Sequence, residues 1–286
     1  MNIRRGGAMA GARSLRVCLD VVMSGAVFWG EVEETADGFV EREFWLTRAG
    51  NEVPAVVWLP SRPGSSCPVV LLGHGGSGHK RSERITRLGR WFASQGGLAA
   101  VAIDGPYHGD RVAGPLTPAE YQHRILEAGL DAVVEAMVSD WRAAVEAVST
   151  LAIVDATNLG YLGLSMGTRF GLPFSAAAGA ELRCAVLGKF GLQSATGFYE
   201  NADTTSQVRR DAEQLSVATL FHVQWDDELF AREGQLALFD SLGAHEKLLI
   251  AFPGTHGETH PTAPALWCDF ILRHLRPDLS SPPRFG

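Results

Sequence analysis

The 286-residue chain carries 25 basic against 32 acidic side chains, a formal charge of -7 with a pI near 5.7. That balance argues against a phosphate-backbone partner, which needs a basic face, so nucleic acid is not an expected ligand. With 46% hydrophobic and 20% charged residues and a mean hydropathy of +0.03 the composition is that of a globular chain, and one domain of this size buries roughly 75% of its unfolded surface.

Residues 1–26 begin MNIRRGGAMAGARSLRVCLDVVMSG. The arginines suit a signal peptide, but Asp20 interrupts the only apolar run before it reaches the length of a signal core. The segment is read as a flexible start to a cytoplasmic protein, with Met9 and Met23 as alternative initiators to Met1. No stretch reaches the 18 or so apolar residues of a membrane span, so no membrane partner is expected. The folded domain is expected over 27–276, with 277–286 as a flexible tail.

From Phe28 to Leu59 the segments VFWGEVEE, FVEREFWLT and VPAVVWLP are separated by turn signals at Ala36-Asp37-Gly38 and Gly50-Asn51, which predicts an antiparallel meander. After a Pro/Gly/Ser-rich linker from Ser61 to Pro68 the pattern changes. PVVLLGHGG, LAAVAIDGP, LGYLGLS, CAVLGKFG, ATLFHVQWDD and KLLIAFPG are six almost uninterrupted apolar runs ending in Gly or Asp. Continuous hydrophobicity predicts strands covered on both faces, as in a parallel sheet between helix layers. Helical composition falls between them at Ser82–Ser94, Pro118–Ser149, Phe230–Leu242 and Pro264–Leu275, giving a doubly wound α/β fold with right-handed crossovers. The polar excursion 193–214 is either a small cap or an exposed crossover. Cys18, Cys67, Cys184 and Cys268 lie far apart with no metal-type spacing and are read as reduced, mostly buried thiols.

In such a sheet, ligands bind beyond the carboxyl ends of the strands. There the third apolar run leads into Gly163-Leu164-Ser165-Met166-Gly167. A nucleophilic serine needs a base within hydrogen-bond reach and a group to orient that base. A sharp strand-to-helix turn would expose its hydroxyl and leave no room for a Cβ two residues to either side. Pro173 lies within the helix that should follow, where it costs about 3 kcal/mol in a regular interior. A kink, or an early break at Leu172, is expected; the alternative is that Thr168 and Arg169 shape the pocket floor rather than an undisturbed helix face.

On these residues the region from about 55 to 275, roughly three quarters of the chain, resembles the α/β-hydrolase family, in its dienelactone-hydrolase-like serine esterase branch. The resemblance implies a Ser, Asp, His triad in that chain order and a nucleophile after the fifth strand. The acid loop resembles Gly-x-x-Asp-x-x-(aliphatic or aromatic), which aligns Gln224 with the glycine, Asp227 with the acid and Phe230 with the last position. Asp226 is the alternative acid, and the glutamine departs from the family pattern. The loop FPGTHG resembles the family's Pro-Gly-x-His-Gly and makes His256 the base, with His260 as the alternative. GHGGSGH resembles the family's oxyanion element, so the Gly76 and Met166 amides are the expected oxyanion donors and His74 a structural residue. DGPYHGDR resembles a structural loop ordered by Asp104, against a metal reading of Asp104, His108 and Asp110.

The resemblance implies a serine hydrolase that forms an acyl-enzyme from a small-molecule ester, with no cofactor or metal required. Amide, lactone or short-peptide cleavage by the same triad stays open, as does a non-catalytic ligand-binding protein on the same fold. Trp225, Phe190, Phe198 and Tyr199 are candidates to line the substrate pocket or to pack the core. Assembly into a homo-oligomer is left open.

Overall fold

The structure is a computed structural model that describes residues 27–34, 37–48, 50–62, 66–192 and 204–277. The chain 1–26, the tail beyond 277, residues 63–65 of the linker and candidate pocket residues Phe198 and Tyr199 lie outside it.

Among the described residues nine strands form one sheet. They are β1 (Val27–Glu34), β2 (Phe39–Arg48), β3 (Asn51–Pro60), β4 (Cys67–Gly73), β5 (Ala99–Ile103), β6 (Val154–Gly163), β7 (Leu182–Gly188), β8 (Ala218–Gln224) and β9 (Lys247–Phe252), in spatial order β1-β2-β3-β5-β4-β6-β7-β8-β9. The first three are antiparallel, β3 joins β5 antiparallel, and every pairing from β5 to β9 is parallel. The six apolar runs are therefore the six parallel strands, and the nucleophile strand is the sixth in the chain because the meander contributes three.

Strand β4 shows why these runs do not alternate. Val69 and Leu71 join one buried cluster while Val70 and Leu72 join the other, on the opposite face. Two helix layers cover those faces. On one side α1 (Glu83–Ser94) and α7 (Ala263–Leu275) bury Ile85, Leu88, Phe92, Trp267, Phe270 and Ile271. On the other side α3 (Leu130–Ser149), α4 (Met166–Ala177) and α6 (Arg232–Ser241) contribute Val134, Trp141, Phe170, Phe174 and Leu238. At roughly 25 cal/mol per Å² of apolar area, this burial on both faces is the main stabilising contribution to the sheet.

Two helical expectations are corrected. The segment Pro118–Ser149 is not one helix but α2 (Pro118–Ala128) and α3, broken at Gly129, whose φ of 84° is a left-handed conformation that favours glycine. Thr117 and Glu120 form a reciprocal capping box that starts α2, with Pro118 in its first turn. The helix after Ser165 does not stop at Leu172 but continues through Pro173 to Ala177. Every residue from Met166 to Ser175 is buried, so packing around the helix outweighs the one backbone bond that proline removes.

Within the excursion 193–214, residues 204–214 form α5 (Thr204–Gln214), which packs against α4 and buries Ala212. The remainder, 193–203, lies outside the described residues. Cys67, Cys184 and Cys268 are buried free thiols, and burial pushes Cys268 up to about 12. No helix among the described residues is long and apolar enough to cross a membrane.

Candidate active site

Strand β6 ends at Gly163 and hands the chain to Ser165, whose backbone (φ 59°, ψ -120°) is strained for a residue with a Cβ. The turn closes only with glycine on both sides. A Cβ on Gly163 would sit 2.8 Å from the Gly167 carbonyl oxygen, and one on Gly167 would sit 2.6 Å from that of Gly73. The Ser165 N–H donates to Gly188 O at 2.9 Å, tying the turn to the end of β7. The Thr168 hydroxyl lies 2.9 and 2.8 Å from Gly163 O and Gly188 O, which share its one proton, and accepts the Gly188 N–H at 2.8 Å, so it braces the turn rather than shaping a pocket floor.

Ser165 Oγ lies 2.8 Å from His256 Nε2, and His256 Nδ1 lies 2.8 Å from Asp227 Oδ2. The carboxylate fixes the tautomer: Nδ1–H donates to Asp227, leaving Nε2 to accept from the serine hydroxyl. Asp227 is itself held, because its Oδ1 accepts the Leu229 and Phe230 N–H groups, each at 2.9 Å. Its side chain is fully buried, while that of His256 is 14% exposed. One end of the line is thus dry and the other opens on the cleft.

The neighbouring carboxylate faces elsewhere. Asp226 Oδ2 accepts the Gly254 N–H at 3.0 Å and its own N–H donates to Gly254 O at 3.1 Å, so it ties the loop after β9 to the loop after β8. His260, the alternative base, stacks on Phe252 at 4.5 Å and pairs with Thr262. Gln224, where the family pattern has glycine, bridges the strand ends: its Nε2 donates to Pro253 O at 2.9 Å and its backbone exchanges bonds with Gln235.

Met166 and Gly76 line the same cleft as Ser165. Among the described residues neither the Met166 nor the Gly76 N–H has an acceptor. Met166 is the first residue of α4, where the helix dipole adds positive potential. A Cβ on Gly76 would meet the Tyr121 hydroxyl, so any larger residue there requires the tyrosine side chain to move. The cleft above them encloses about 370 Å³ and is walled by Tyr121, Met166, Arg169, Phe190, Leu229 and Phe230. Phe190 thus lines it, packed on Phe230 at 4.8 Å. Trp225 does not: it is 44% exposed and lies under the Arg232 guanidinium at 4.4 Å. None of α5 lines the cleft either.

The loops around the site are held by buried polar groups. Asp104 accepts Lys80 Nζ at 2.9 Å and the N–H groups of Lys80 and Asp110, so its carboxylate orders the loop. His74 donates Nδ1–H to Gly75 O and accepts the Gly105 N–H at Nε2, both at 2.8 Å, which fits the neutral ring. Burial, with His108 alongside, lowers it to about 3. His222 accepts from Trp267 Nε1 and faces Gln224 Oε1, each at 3.2 Å, and burial lowers it to about 4.

Both rings lie below their unfolded value near 6.5, so between these limits the unfolded chain binds more protons. Stability is complete above pH 6.5 and falls as pH drops, by up to about 1.4 kcal/mol per pH unit for each ring. Urea midpoints should therefore decline from pH 7 to pH 5, less steeply in His222→Gln. A midpoint constant over that range would contradict the buried neutral pair.

Lys189 and Glu228 were not legible as site residues in the sequence. Glu228 Oε2 accepts the His256 N–H at 2.8 Å, and Lys189 Nζ donates to His256 O at 3.0 Å. Each contact spans 28 residues or more, and no local pattern marks it.

Comparison with solved structures places the fold. A cold-adapted esterase from an Arctic intertidal metagenomic library is 32% identical, with a TM-score of 0.72 over 89% of this chain and 100% of that one. The chain belongs to the α/β-hydrolase superfamily, in its dienelactone-hydrolase-like esterase branch. The same superfamily fold is shared with acetyl xylan esterase 1 from Thermoanaerobacterium sp. (16% identity, TM-score 0.67, 88% of each chain). It is shared too with dienelactone hydrolase from Anabaena variabilis (17% identity, TM-score 0.58, 84% of this chain and 100% of that one). A scan against protein-family models finds no match, and neither does a search of curated proteins. As a member of the α/β-hydrolase superfamily, the chain carries one strand more than the order in which the nucleophile follows the fifth, which accounts for Ser165 following β6.

Proposed function

We propose that this protein hydrolyses carboxylic esters of small molecules as a serine hydrolase, through an acyl-enzyme. The observation that carries the reading is the continuous line from Ser165 Oγ through His256 to the buried Asp227, with both links at 2.8 Å, opening on a cleft also lined by Met166 and Gly76, whose amides have no acceptor among the described residues.

In this reading Ser165 Oγ attacks the ester carbonyl while Nε2 of His256 takes the hydroxyl proton. Asp227 stabilises the imidazolium and keeps the ring in register. The Met166 and Gly76 N–H groups donate to the oxyanion, a contribution worth about 10²- to 10³-fold in rate per donor. His256 returns the proton to the leaving alcohol, and water, activated by the same ring, then releases the acid. The esterase relative at 32% identity supports an ester as the substrate. Fluorophosphonate should label the wild type and leave Ser165→Ala unlabelled, with p-nitrophenol released from short-chain p-nitrophenyl esters by the wild type only. Labelling that persists in the variant would remove Ser165 as nucleophile.

A further inference from the structure

One buried cation beside the cleft has no part in the chemistry above. Lys189 follows directly on β7, is 2% exposed, and holds a backbone φ of 48°, a conformation L residues rarely adopt. Strain and a desolvated charge at one position are both unfavourable, so something about the arrangement must offset them.

The contacts of its side chain identify what that is. Nζ donates to the His256 carbonyl at 3.0 Å and to the Glu258 carbonyl, and it reaches Thr259 Oγ1 at 3.5 Å. Among the described residues no carboxylate pairs with it; all three acceptors belong to the loop that carries the base. The residue before it, Gly188, accepts the Ser165 N–H at 2.9 Å and the Thr168 hydroxyl at 2.8 Å. Two consecutive residues at the end of β7 therefore hold the two reacting partners: the backbone of one anchors the serine turn, and the side chain of the next anchors the imidazole loop.

We propose that Lys189 is a positioning residue that fixes the distance between Ser165 and His256 by clamping the carbonyls of the His256 loop from the end of β7. The proposal rests on the hydrolase reading above. A second cation near His256 opposes formation of the imidazolium, so the contribution is geometric and must exceed that electrostatic cost. The clamp needs the ammonium, which has three hydrogens for three acceptors, whereas the neutral amine has two. The groups facing it are Arg84 from α1, His222 from β8, Asp227 and Glu228 from the loop after β8, and His256 and Glu258 from the loop after β9. Burial, then Arg84, lowers Lys189, the three carboxylates work against that, and the balance leaves it at about 8. Above that pH the clamp loses a donor.

The experiment measures kcat and KM for p-nitrophenyl acetate from pH 6 to 9.5, together with melting temperature, for wild type, Lys189→Met and Lys189→Arg. Lys189→Met is expected to lower kcat roughly 10- to 100-fold with KM little changed, the penalty of a misplaced base. Wild-type kcat should fall on the alkaline side with a midpoint near 8, and Lys189→Arg, whose guanidinium stays charged, should abolish that fall. A Lys189→Met protein that melts like the wild type and keeps its kcat overturns the proposal. Should that variant fail to fold, an unchanged alkaline limb in Lys189→Arg overturns it instead. A wild type that neither turns over the ester nor takes fluorophosphonate defeats the hydrolase reading itself. An active wild type with an indifferent Lys189→Met defeats the positioning role alone.

Discussion

A Ser165→Ala variant is expected to lose about 10⁶-fold in kcat on p-nitrophenyl acetate while melting within a few degrees of the wild type. Loss of the hydroxyl leaves His256 with nothing to deprotonate and Asp227 with nothing to assist, so the three residues fail as a unit. What survives is about 10³- to 10⁴-fold over water, from the two amides and the cleft. The fold should tolerate the change because the hydroxyl's protein partner is His256 Nε2, and the alanine keeps the backbone bond to Gly188 O. Residual turnover within a hundredfold of wild type would mean that another group attacks.

Asp227→Asn should cost about 10⁴-fold in kcat, and Asp226→Asn no more than a few-fold. Oδ1 of Asp227 is pinned by the Leu229 and Phe230 N–H groups, so an asparagine presents its NH₂ to His256 Nδ1. That forces the proton onto Nε2, the nitrogen that must accept from Ser165. Among the described residues Asp226 bonds only to the Gly254 backbone, and its loss loosens a loop without changing the tautomer. Turnover abolished by the Asp226 change and retained by the Asp227 change would reverse the assignment.

Much of this architecture can be read from hydrophobic runs. Val69 to Leu72 are apolar without alternation because successive side chains enter different cores, and the same rule exposes β4 to β8, whereas β9 is as apolar in sequence yet buries none of its residues fully. The serine turn is legible because two glycines at fixed spacing answer steric contacts that any Cβ would violate. Other features are not local. Gly129 splits a helical segment, yet a single glycine inside a helical pattern is normally tolerated and gives no warning. Pro173 looks like a stop, and burial of the helix from Met166 to Ser175 overrides it. Asp226 and Asp227 are alike in composition and differ only in which way the turn after β8 aims them. Lys189 and Glu228 reach the imidazole loop across 67 and 28 residues, and nothing in their surroundings along the chain marks them. Trp225 has the composition of a pocket residue and the position of a surface one.

The sheet also distributes the proposed proton relay unequally. β6 sits between β4 and β7, whereas β9, which delivers His256, ends the sheet with β8 as its one partner and leaves Leu248 44% exposed. A terminal strand with one ladder of hydrogen bonds peels at lower cost than an interior one. Warming should then carry the imidazole away from the hydroxyl while the rest of the sheet is still assembled. Catalysis would fade at temperatures where circular dichroism reports an intact protein and return on cooling, so the ceiling on working temperature would lie in this outermost strand rather than in the core.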